Sequence, residues 1–220
     1  MTVTIPATLV NLGLRGEPQQ KRAKATFERI VSATAELIQE VGIDRITTIE
    51  VARRAESNIS SLYRYFPNKY ALVKYLAQRL GERQNTAVNE YLAAADPHCP
   101  WEEVLDGVVD QLVAVSRREA AFVSLQRALM AVPELREEYR RSSDDVSELL
   151  MERMRQWGIE LPNARVHLII KCMGECSATL LDLAVSGGRP YDDDVVEELK
   201  QVFKGYVRTY MPSEVETHLV

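Results

Sequence analysis

The chain has 220 residues, of which 46% are hydrophobic and 27% are charged, a composition typical of globular proteins. Its formal net charge of -5 excludes a protein that coats nucleic acid by bulk positive charge. The charge is unevenly distributed, because the first 70 residues carry 10 basic and 7 acidic side chains and the remainder carries 17 and 25. The two parts are therefore expected to have different functions.

Several classes of protein are excluded by patterns along the chain. No run approaches the roughly 18 apolar residues of a membrane span, and the N-terminus does not have the order of a signal peptide. Three cysteines, an odd number, argue against a disulfide scaffold and favour a reducing, cytoplasmic location. Cys172 and Cys176 are expected to be buried or at a helix interface, since no further metal ligands lie nearby. We expect no metal and no cofactor.

The N-terminal part begins with an irregular segment. Residues 1–20 contain two prolines and two glycines and show no periodicity, which predicts a flexible arm. From Lys21 onwards, apolar residues recur at three- and four-residue steps, which predicts an amphipathic helix. This helix is predicted to end at Gly42, because a residue just past a helix end often needs positive φ.

Three further helices are predicted before the middle of the chain. Thr47-Thr48-Ile49-Glu50 fits a capping box, which predicts a short helix from Thr47 to about Ala55 with Ile49 on its packed face. Asn58 is a suitable cap for a second short helix, Ile59 to Phe66. A long helix is predicted over Lys69–Ala94.

The remainder also has helical periodicity after a breaker-rich hinge at residues 96–100. The predicted helices are Trp101–Ser116, Arg118–Ala131, Pro133–Trp157, Asn163–Ser186 and Asp192–Met211. No stretch alternates with the two-residue period of a strand. The predicted fold class is all-α.

The block from Thr47 to Lys69 is the most specific functional signal. It contains a short capped helix, a tight turn and a second short helix, and the small Ala52 allows the two helices to cross closely. This is the outline of a helix-turn-helix, whose second helix enters a DNA major groove about 12 Å wide.

The same block resembles a known family. The pattern Ser61-Leu62-Tyr63-x-Tyr65-Phe66-x-x-Lys69, preceded by Val51-Ala52-x-x-Ala55, resembles the recognition helix and following turn of the TetR (tetracycline repressor) family. The resemblance covers roughly residues 21–80. It implies an arm at 1–20, a three-helix helix-turn-helix domain at 21–68, and a helical ligand-binding and dimerisation domain at 69–220.

The turn departs from the family pattern. Where the family usually has Ala-Gly-Val-Ser, this chain has Ala55-Glu56-Ser57-Asn58. A non-glycine residue in the left-handed conformation costs about 1–2 kcal/mol. Either the turn avoids that conformation or some stability is lost, and Ser57 also removes a small apolar contact.

The resemblance implies double-stranded DNA as a partner and a role for each matching residue. The expected base readers are Ile59, Ser60, Ser61 and Tyr63, with Arg64 on a guanine or a phosphate. The expected phosphate ligands are Thr47, Thr48, Tyr65 and Lys69. Leu62 and Phe66 are expected in the core.

In the family, the C-terminal helices form a dimer interface and a ligand cavity. The expected interface residues are Ile170, Met173, Gly174, Ser177, Leu181, Val202, Phe203 and Tyr206. A dimer sets two recognition helices one DNA turn, about 34 Å, apart and requires a palindromic operator.

The middle helices mix aromatic, methionine and amide side chains, which suits a largely apolar ligand with one polar anchor. The expected pocket residues are Phe122, Leu125, Gln126, Met130, Met154, Trp157, His167 and Glu175. Ordinary core packing is the alternative for each of them.

We therefore expect a homodimeric, cytoplasmic transcriptional repressor that a small, largely apolar effector releases from its operator. No catalytic residue is expected, because none of the three histidines belongs to a known catalytic motif. Two alternatives stay open: a ligand-independent, nucleoid- or division-linked DNA-binding dimer of the same fold, or a ligand-binding protein whose DNA head has lost its function.

Overall fold

The computed structural model describes residues 11–119, 121–136, 148–185 and 192–212. The helices of these stretches are α1 (Lys21–Arg45), α2 (Thr48–Arg54), α3 (Ile59–Tyr65), α4 (Lys69–Ala94), α5 (Trp101–Arg118), α6 (Phe122–Ala131), α7 (Glu148–Gln156), α8 (Asn163–Val185) and α9 (Asp192–Arg208). No strand occurs in the described stretches, so the all-α prediction is confirmed. None of the described helices is long and apolar enough to cross a bilayer.

The predicted helix ends agree closely with the observed ones in the N-terminal part. Gly42 interrupts α1 with a φ of 75° and a ψ of 165°, as predicted for a helix stop. Asn68 caps α4, because its side-chain oxygen accepts a hydrogen bond from the Ala71 amide. Further on, α6 begins at Phe122 rather than Arg118. Of the helix predicted over 133–157, the structure describes a turn at 133–136 and α7.

The chain divides into two compact units. The first combines Met1–Leu80 with Ala120–Ser142, and the second combines Gly81–Glu119 with Ser143–Val220. The continuous helix α4 contributes its first half to the first unit and its second half to the second. This division differs from the predicted boundary at Lys69, since α6 packs on α1 in the first unit.

An aromatic cluster forms the centre of the first unit. The Phe27 ring stacks on Phe66, with centroids 5.1 Å apart, and meets Tyr65 and Tyr75 edge-on at 5.2 Å. Such pairs stabilise a core beyond their buried area. The cluster joins α1, α3 and α4 and so holds the short α3 in a fixed orientation.

The second unit has its own core, formed by Val88, Leu92, Val104, Val108 and Leu150. Tyr91 packs directly over Gly107, where an added Cβ would lie 2.0 Å from the tyrosine hydroxyl. The absence of a side chain at Gly107 therefore makes room for the Tyr91 ring.

Four ion pairs join the antiparallel helices α5 and α9. They are Arg117–Asp193 at 2.6 Å, Lys200–Asp110 at 2.9 Å, Lys204–Asp106 at 2.9 Å and Arg208–Glu102 at 3.6 Å. We call this set the α5–α9 ladder. Burial lowers the pKa of Lys200, but hydrogen bonds to Asp110 and Glu197 outweigh it, so the pKa is raised overall.

Candidate nucleic-acid interface

The first helix of the helix-turn-helix begins with the predicted capping box. The Glu50 amide donates to Thr47 Oγ1 at 3.2 Å, and the Thr47 amide donates to Glu50 Oε2 at 3.1 Å. Two free amides are thereby satisfied at the start of α2. The capping box is confirmed, and it turns the Glu50 carboxylate back towards the N-terminus of α2.

The turn between α2 and α3 adopts the left-handed conformation. Glu56 has a φ of 48°, and the Ser57 amide donates to the Ala52 carbonyl at 2.9 Å. Of the two possibilities left open by the sequence, the structure therefore contains the strained one. The Ser57 hydroxyl adds a second defect, because it is buried and has no hydrogen-bond partner among the described residues.

The recognition helix α3 is capped by Asn58, as predicted. The Asn58 side-chain oxygen accepts the Ser60 amide at 2.8 Å. Ser60, Tyr63 and Arg64 are exposed on α3, and Ile59 is partly exposed. These side chains are free to face a ligand outside the protomer, as their predicted role in base reading requires.

A hydrogen bond joins the exposed sides of α2 and α3. Thr48 Oγ1 and the Tyr63 hydroxyl lie 2.9 Å apart. Tyr63 is therefore held at a fixed angle, while its ring stays 39% exposed. Ser61 is partly exposed and Thr47 is exposed, and their roles on DNA stay predictions.

The predicted phosphate contact of Tyr65 is not supported by the structure. Tyr65 is only 5% exposed, and its ring packs edge-on against Phe27. The physical reason is its position three residues after the buried Leu62, which places both on the core face of α3. Tyr65 is a core residue.

Lys69 has a different partner from the one predicted. Its ammonium group donates to the carbonyls of Ile43 at 2.9 Å, Asp44 at 3.2 Å and Ile46 at 3.4 Å. An ammonium group has three protons, so all its donors are directed to the chain that follows Gly42. Lys69 therefore holds the end of α1. Its phosphate contact stays a prediction, and in this structure the ammonium group has no proton left to donate to a phosphate.

The described part of the N-terminal arm binds the end of α3, which the sequence did not predict. The Arg15 amide donates to the Tyr65 carbonyl at 2.9 Å, and the Arg15 guanidinium donates to the Tyr63 carbonyl at 3.1 Å. The Asn68 side chain donates to the Asn11 carbonyl at 2.9 Å. The two Arg15 bonds satisfy carbonyls at the end of α3, and no pattern in the arm signals any of the three bonds.

The two neighbouring arginines of α2 have different environments. Arg54 donates to both Glu40 oxygens at 2.8 Å and to Glu36 at 3.2 Å. Its hydrogen bond lowers the pKa of the Glu40 carboxyl. The Arg53 side chain is exposed and makes no hydrogen bond or ion pair with the described residues. Of these two arginines, only Arg53 is free of acceptors among the described residues and so able to meet an external anion.

The predicted dimer-interface residues divide into two groups. Met173, Ser177, Leu181 and Phe203 are buried within the second unit, which does not support an interface role for them. Their helices are apolar on more than one face, and sequence alone does not tell which face meets the unit's own core. Gly174 and Val202 are exposed, whereas Ile170 and Tyr206 are partly buried. Cys172 and Cys176 are also exposed, so they are not buried in the unit, and a role at a helix interface stays a prediction.

The predicted pocket residues divide between the two units. Phe122, Leu125, Gln126 and Met130 lie on α6 in the first unit, and Met154, Trp157, His167 and Glu175 lie in the second. Phe122, Leu125 and Met154 are fully buried core residues, and Met130 is 49% exposed. For Phe122, Leu125 and Met154 this burial supports the packing alternative, whereas Met130 is open to solvent. Trp157, His167 and Glu175 are partly exposed, and Gln126 is buried.

A metal or catalytic centre was not expected from the sequence. Among the described residues, no three histidine, cysteine, aspartate or glutamate side chains lie close enough together to hold a metal ion. The candidate functional surface is the exposed side of α2 and α3, which carries Arg53, Ser60, Tyr63 and Arg64.

Comparison with known proteins identifies both parts of the chain. A family model described as bacterial regulatory proteins, tetR family, matches residues 30–76. A second model, Tetracyclin repressor-like, C-terminal domain, matches residues 100–206. The crystal structure of a TetR-family transcriptional regulator from Streptomyces coelicolor is 29% identical, has a TM-score of 0.61, and the match covers 84% of this chain and 99% of that one.

Two curated relatives from Bacillus subtilis (strain 168) are uncharacterized HTH-type transcriptional regulators. YdeS is 24% identical over 89% of this chain and 95% of its own length. YvdT is 24% identical over 51% of this chain, and the match spans 56% of YvdT. Because models of one family match both the helix-turn-helix and the helical part that follows, the chain belongs to the TetR family and is a DNA-binding transcriptional regulator, not an enzyme.

Proposed function

We propose that the protein is a homodimeric repressor that binds a palindromic operator and that a small, largely apolar molecule releases it. The observation that carries this proposal is an exposed stripe of small and apolar residues on α8 and α9. We call it the α8–α9 face. It comprises Leu168, Cys172, Cys176, Val202 and Gly205.

On α8, the stripe lies beside the side that packs in the second unit. The buried residues recur at three- and four-residue steps and are Val166, Ile169, Met173, Ser177, Leu181 and Ala184. Leu168, which is 45% exposed, and the two cysteines follow the same spacing on this neighbouring side. A helix that is apolar on two sides has one side left to bury against a partner.

On α9, Val202 and Gly205 are also exposed, and an added Cβ at Gly205 would meet nothing within 4 Å. Small residues allow a second helix to approach closely. Since α8 and α9 pack against each other, a copy related by a two-fold axis would complete a four-helix interface. Such a dimer presents two recognition helices to a palindromic site.

The dimer is tested by replacing Leu168 with Glu and measuring mass by sedimentation at micromolar concentration. The wild type should sediment at twice 24.9 kDa, and L168E at the mass of one chain with loss of the footprint. Leu149→Glu, a matched change of an exposed leucine on α7, should stay dimeric and bind DNA. A monomeric wild type that protects a single half-site contradicts the proposal.

The effector is tested with the DNA upstream of the protein's own gene. Small molecules extracted from the purified protein are identified by mass spectrometry and added back to a footprinting assay. The proposal expects one discrete palindrome whose protection is lost when the molecule returns. In cells, deletion of the gene should raise transcription from that promoter, whereas lower transcription would indicate an activator.

The same assay distinguishes the ligand-independent alternative. A chromosome-associated protein would protect many scattered sites, and no extracted molecule would release it. Trp157, His167 and Glu175 are the predicted pocket residues of the second unit that keep some exposure. Their alanine variants should lower the sensitivity to the effector without changing DNA affinity in its absence.

A further inference from the structure

Ile49 is the most exposed large apolar side chain in the described residues, at 71%. The sequence pattern placed it on the packed face of α2, but that face consists of Val51, Ala52 and Ala55. The protomer therefore provides no packing partner for most of the isoleucine surface. A single exposed apolar residue is common on protein surfaces, so its position decides whether it has a role.

The position of Ile49 is beside the recognition helix. Its neighbour Thr48 shares the 2.9 Å hydrogen bond with the Tyr63 hydroxyl, which fixes the first turn of α2 against the exposed side of α3. In a helix-turn-helix the second helix lies in the major groove while the first crosses the DNA backbone. Ile49 therefore lies at the edge between the groove and the phosphates.

A cation follows Ile49 on the same side of α2. Arg53 is four residues later, exposed, and its side chain makes no bond with the described residues. A guanidinium suits a phosphate, which would hold this side of α2 against the DNA. The apolar side chain would then be directed to the base edges nearest that phosphate.

The chemistry of the exposed surface favours an apolar contact with bases. Arg64 is the only guanidinium on α3, and the Asn58 side-chain oxygen is occupied by the Ser60 amide. The carbon atoms of isoleucine can recognise only an apolar group, and the apolar group on a base edge in the major groove is the C5-methyl of thymine.

We propose that Ile49 contacts the C5-methyl group of a thymine at one end of the sequence read by α3, so that α2 contributes to operator specificity. The proposal rests on DNA binding and not on the dimer or the effector proposed above. Its experiment therefore gives an answer whether or not those proposals hold.

The test uses the protected operator and the full-length protein. Each thymine is replaced in turn by deoxyuridine, which removes only the methyl group, and the dissociation constant is measured for the wild type and for Ile49→Ala. At one thymine outside those sensitive to Ile59→Ala, the wild type should lose about three- to fivefold in affinity, as expected for one methyl group returned to water. I49A should show no loss at that thymine, because the two changes remove the same contact.

Controls separate this contact from a general effect. Leu149→Ala removes a comparable exposed side chain from α7 and should keep the wild-type response to every uridine. Circular dichroism is expected to be unchanged for I49A, since alanine favours the helix. The proposal is overturned if I49A still responds to uridine at every position that the wild type senses, if no such outer thymine exists, or if I49A weakens all DNA sequences equally.

Discussion

Two residues of the first unit, Gly42 and Glu56, have a positive φ, but only the conformation of Glu56 is one that a residue with a side chain can adopt. Gly42 combines a φ of 75° with a ψ of 165°, a region that essentially only glycine adopts. Glu56 has a φ of 48°, a left-handed conformation that an ordinary side chain reaches at some cost. Both positions lie at junctions of the helix-turn-helix, so their backbone geometry decides how α1, α2 and α3 meet.

Substitution at these two positions should change stability in opposite directions. Glu56→Gly should raise the free energy of unfolding by about 1 kcal/mol, because the left-handed strain is removed. Gly42→Ala should lower it by about 1–3 kcal/mol, although an added Cβ would meet nothing within 4 Å. Urea denaturation measures both. Destabilisation by E56G would show that the carboxylate makes a contribution larger than the strain.

Lys69 gives a second prediction that separates a structural role from a DNA role. Lys69→Met keeps the length of the side chain and removes the three carbonyl contacts, so unfolding should become easier by about 1–3 kcal/mol. The slope of log affinity against log salt should not change. A slope reduced by about one at unchanged stability would instead indicate a phosphate contact.

The sequence identified helix positions more reliably than the direction of individual side chains. Tyr65 and Tyr63 are two residues apart in one motif, yet only Tyr63 is exposed. Ile49 was expected on a packed face but points away from it. On a helix as short as α2, the periodicity of apolar residues does not define one side, so the sequence could not give the direction of this side chain. Burial on a short helix depends on the neighbouring helices, and single-chain patterns do not contain that information.

At the scale of whole helices, cations from elsewhere in the chain bind the C-terminal ends. Lys69 holds the carbonyls after α1, and the Arg29 guanidinium donates to the Ala55 carbonyl at the end of α2 at 3.1 Å. In the second unit, the buried Arg153 donates to the carbonyls of Leu92 and Ala95 at the end of α4. These contacts satisfy free carbonyls and favour the negative end of each helix dipole.

The pairing of α1 with α2 should be sensitive to acid. The hydrogen bond from Arg54 lowers the pKa of Glu40 from its usual value of 4.5. A lowered pKa means that the stabilisation is present above about pH 4.5 and is lost as the pH falls through the folded value. Glu40→Gln should therefore flatten the fall in melting temperature between about pH 6 and about pH 3.5.

The matched control for this prediction is Glu17→Gln, an exposed carboxyl of the arm that has no ion pair with the described residues. Its melting temperature should follow the wild type at every pH. An identical acid dependence of E40Q and the wild type would contradict the role of the Glu40–Arg54 pair.

The α5–α9 ladder should respond to charge exchange. Lys204→Asp or Asp106→Lys alone should lower the free energy of unfolding by about 1–3 kcal/mol, because one charge is left beside a like charge in a partly buried site. The double exchange should recover at least half of the loss. The exposed Arg155–Glu152 pair is the control, and its exchange should change stability by less than about 0.5 kcal/mol.

Element positions could be predicted because each depends on local chemistry. The capping box at Thr47, the stop at Gly42 and the cap at Asn68 are all read from a few adjacent residues. The interface and pocket residues depend on which faces of long helices meet, and there the sequence did not indicate that Met173 and Phe122 are buried in the core. The ladder was not predicted, since its partners lie far apart in the chain.

At the scale of the whole molecule, a net charge of -5 has to be reconciled with DNA binding. The basic side chains of the first unit divide into two groups. Arg29, Arg54 and Lys69 are held by acceptors within the unit, whereas Arg53 and Arg64 are exposed without a partner in the described residues. We therefore expect DNA binding to depend on a few free cations and not on the total charge.

The two adjacent arginines of α2 test this division. Arg53→Ala should reduce the slope of log affinity against log salt by about 0.9 and leave the melting temperature unchanged. Arg54→Ala should lower the melting temperature and leave the slope unchanged, because its charge is already paired with Glu36 and Glu40. Equal slopes for R53A and the wild type would show that Arg53 does not contact a phosphate.

The spacing of the α5–α9 ladder also limits how the two helices can slide. Three of its cations, Lys200, Lys204 and Arg208, are four residues apart, so a displacement by one helical turn of 5.4 Å would still match Lys200 with Asp106 and Lys204 with Glu102. The fourth pair, Arg117–Asp193, follows a seven-residue step and would have no counterpart after such a slip. Because this interval is uneven, the observed alignment of the two helices forms all four ion pairs, whereas the alignment shifted by one turn does not.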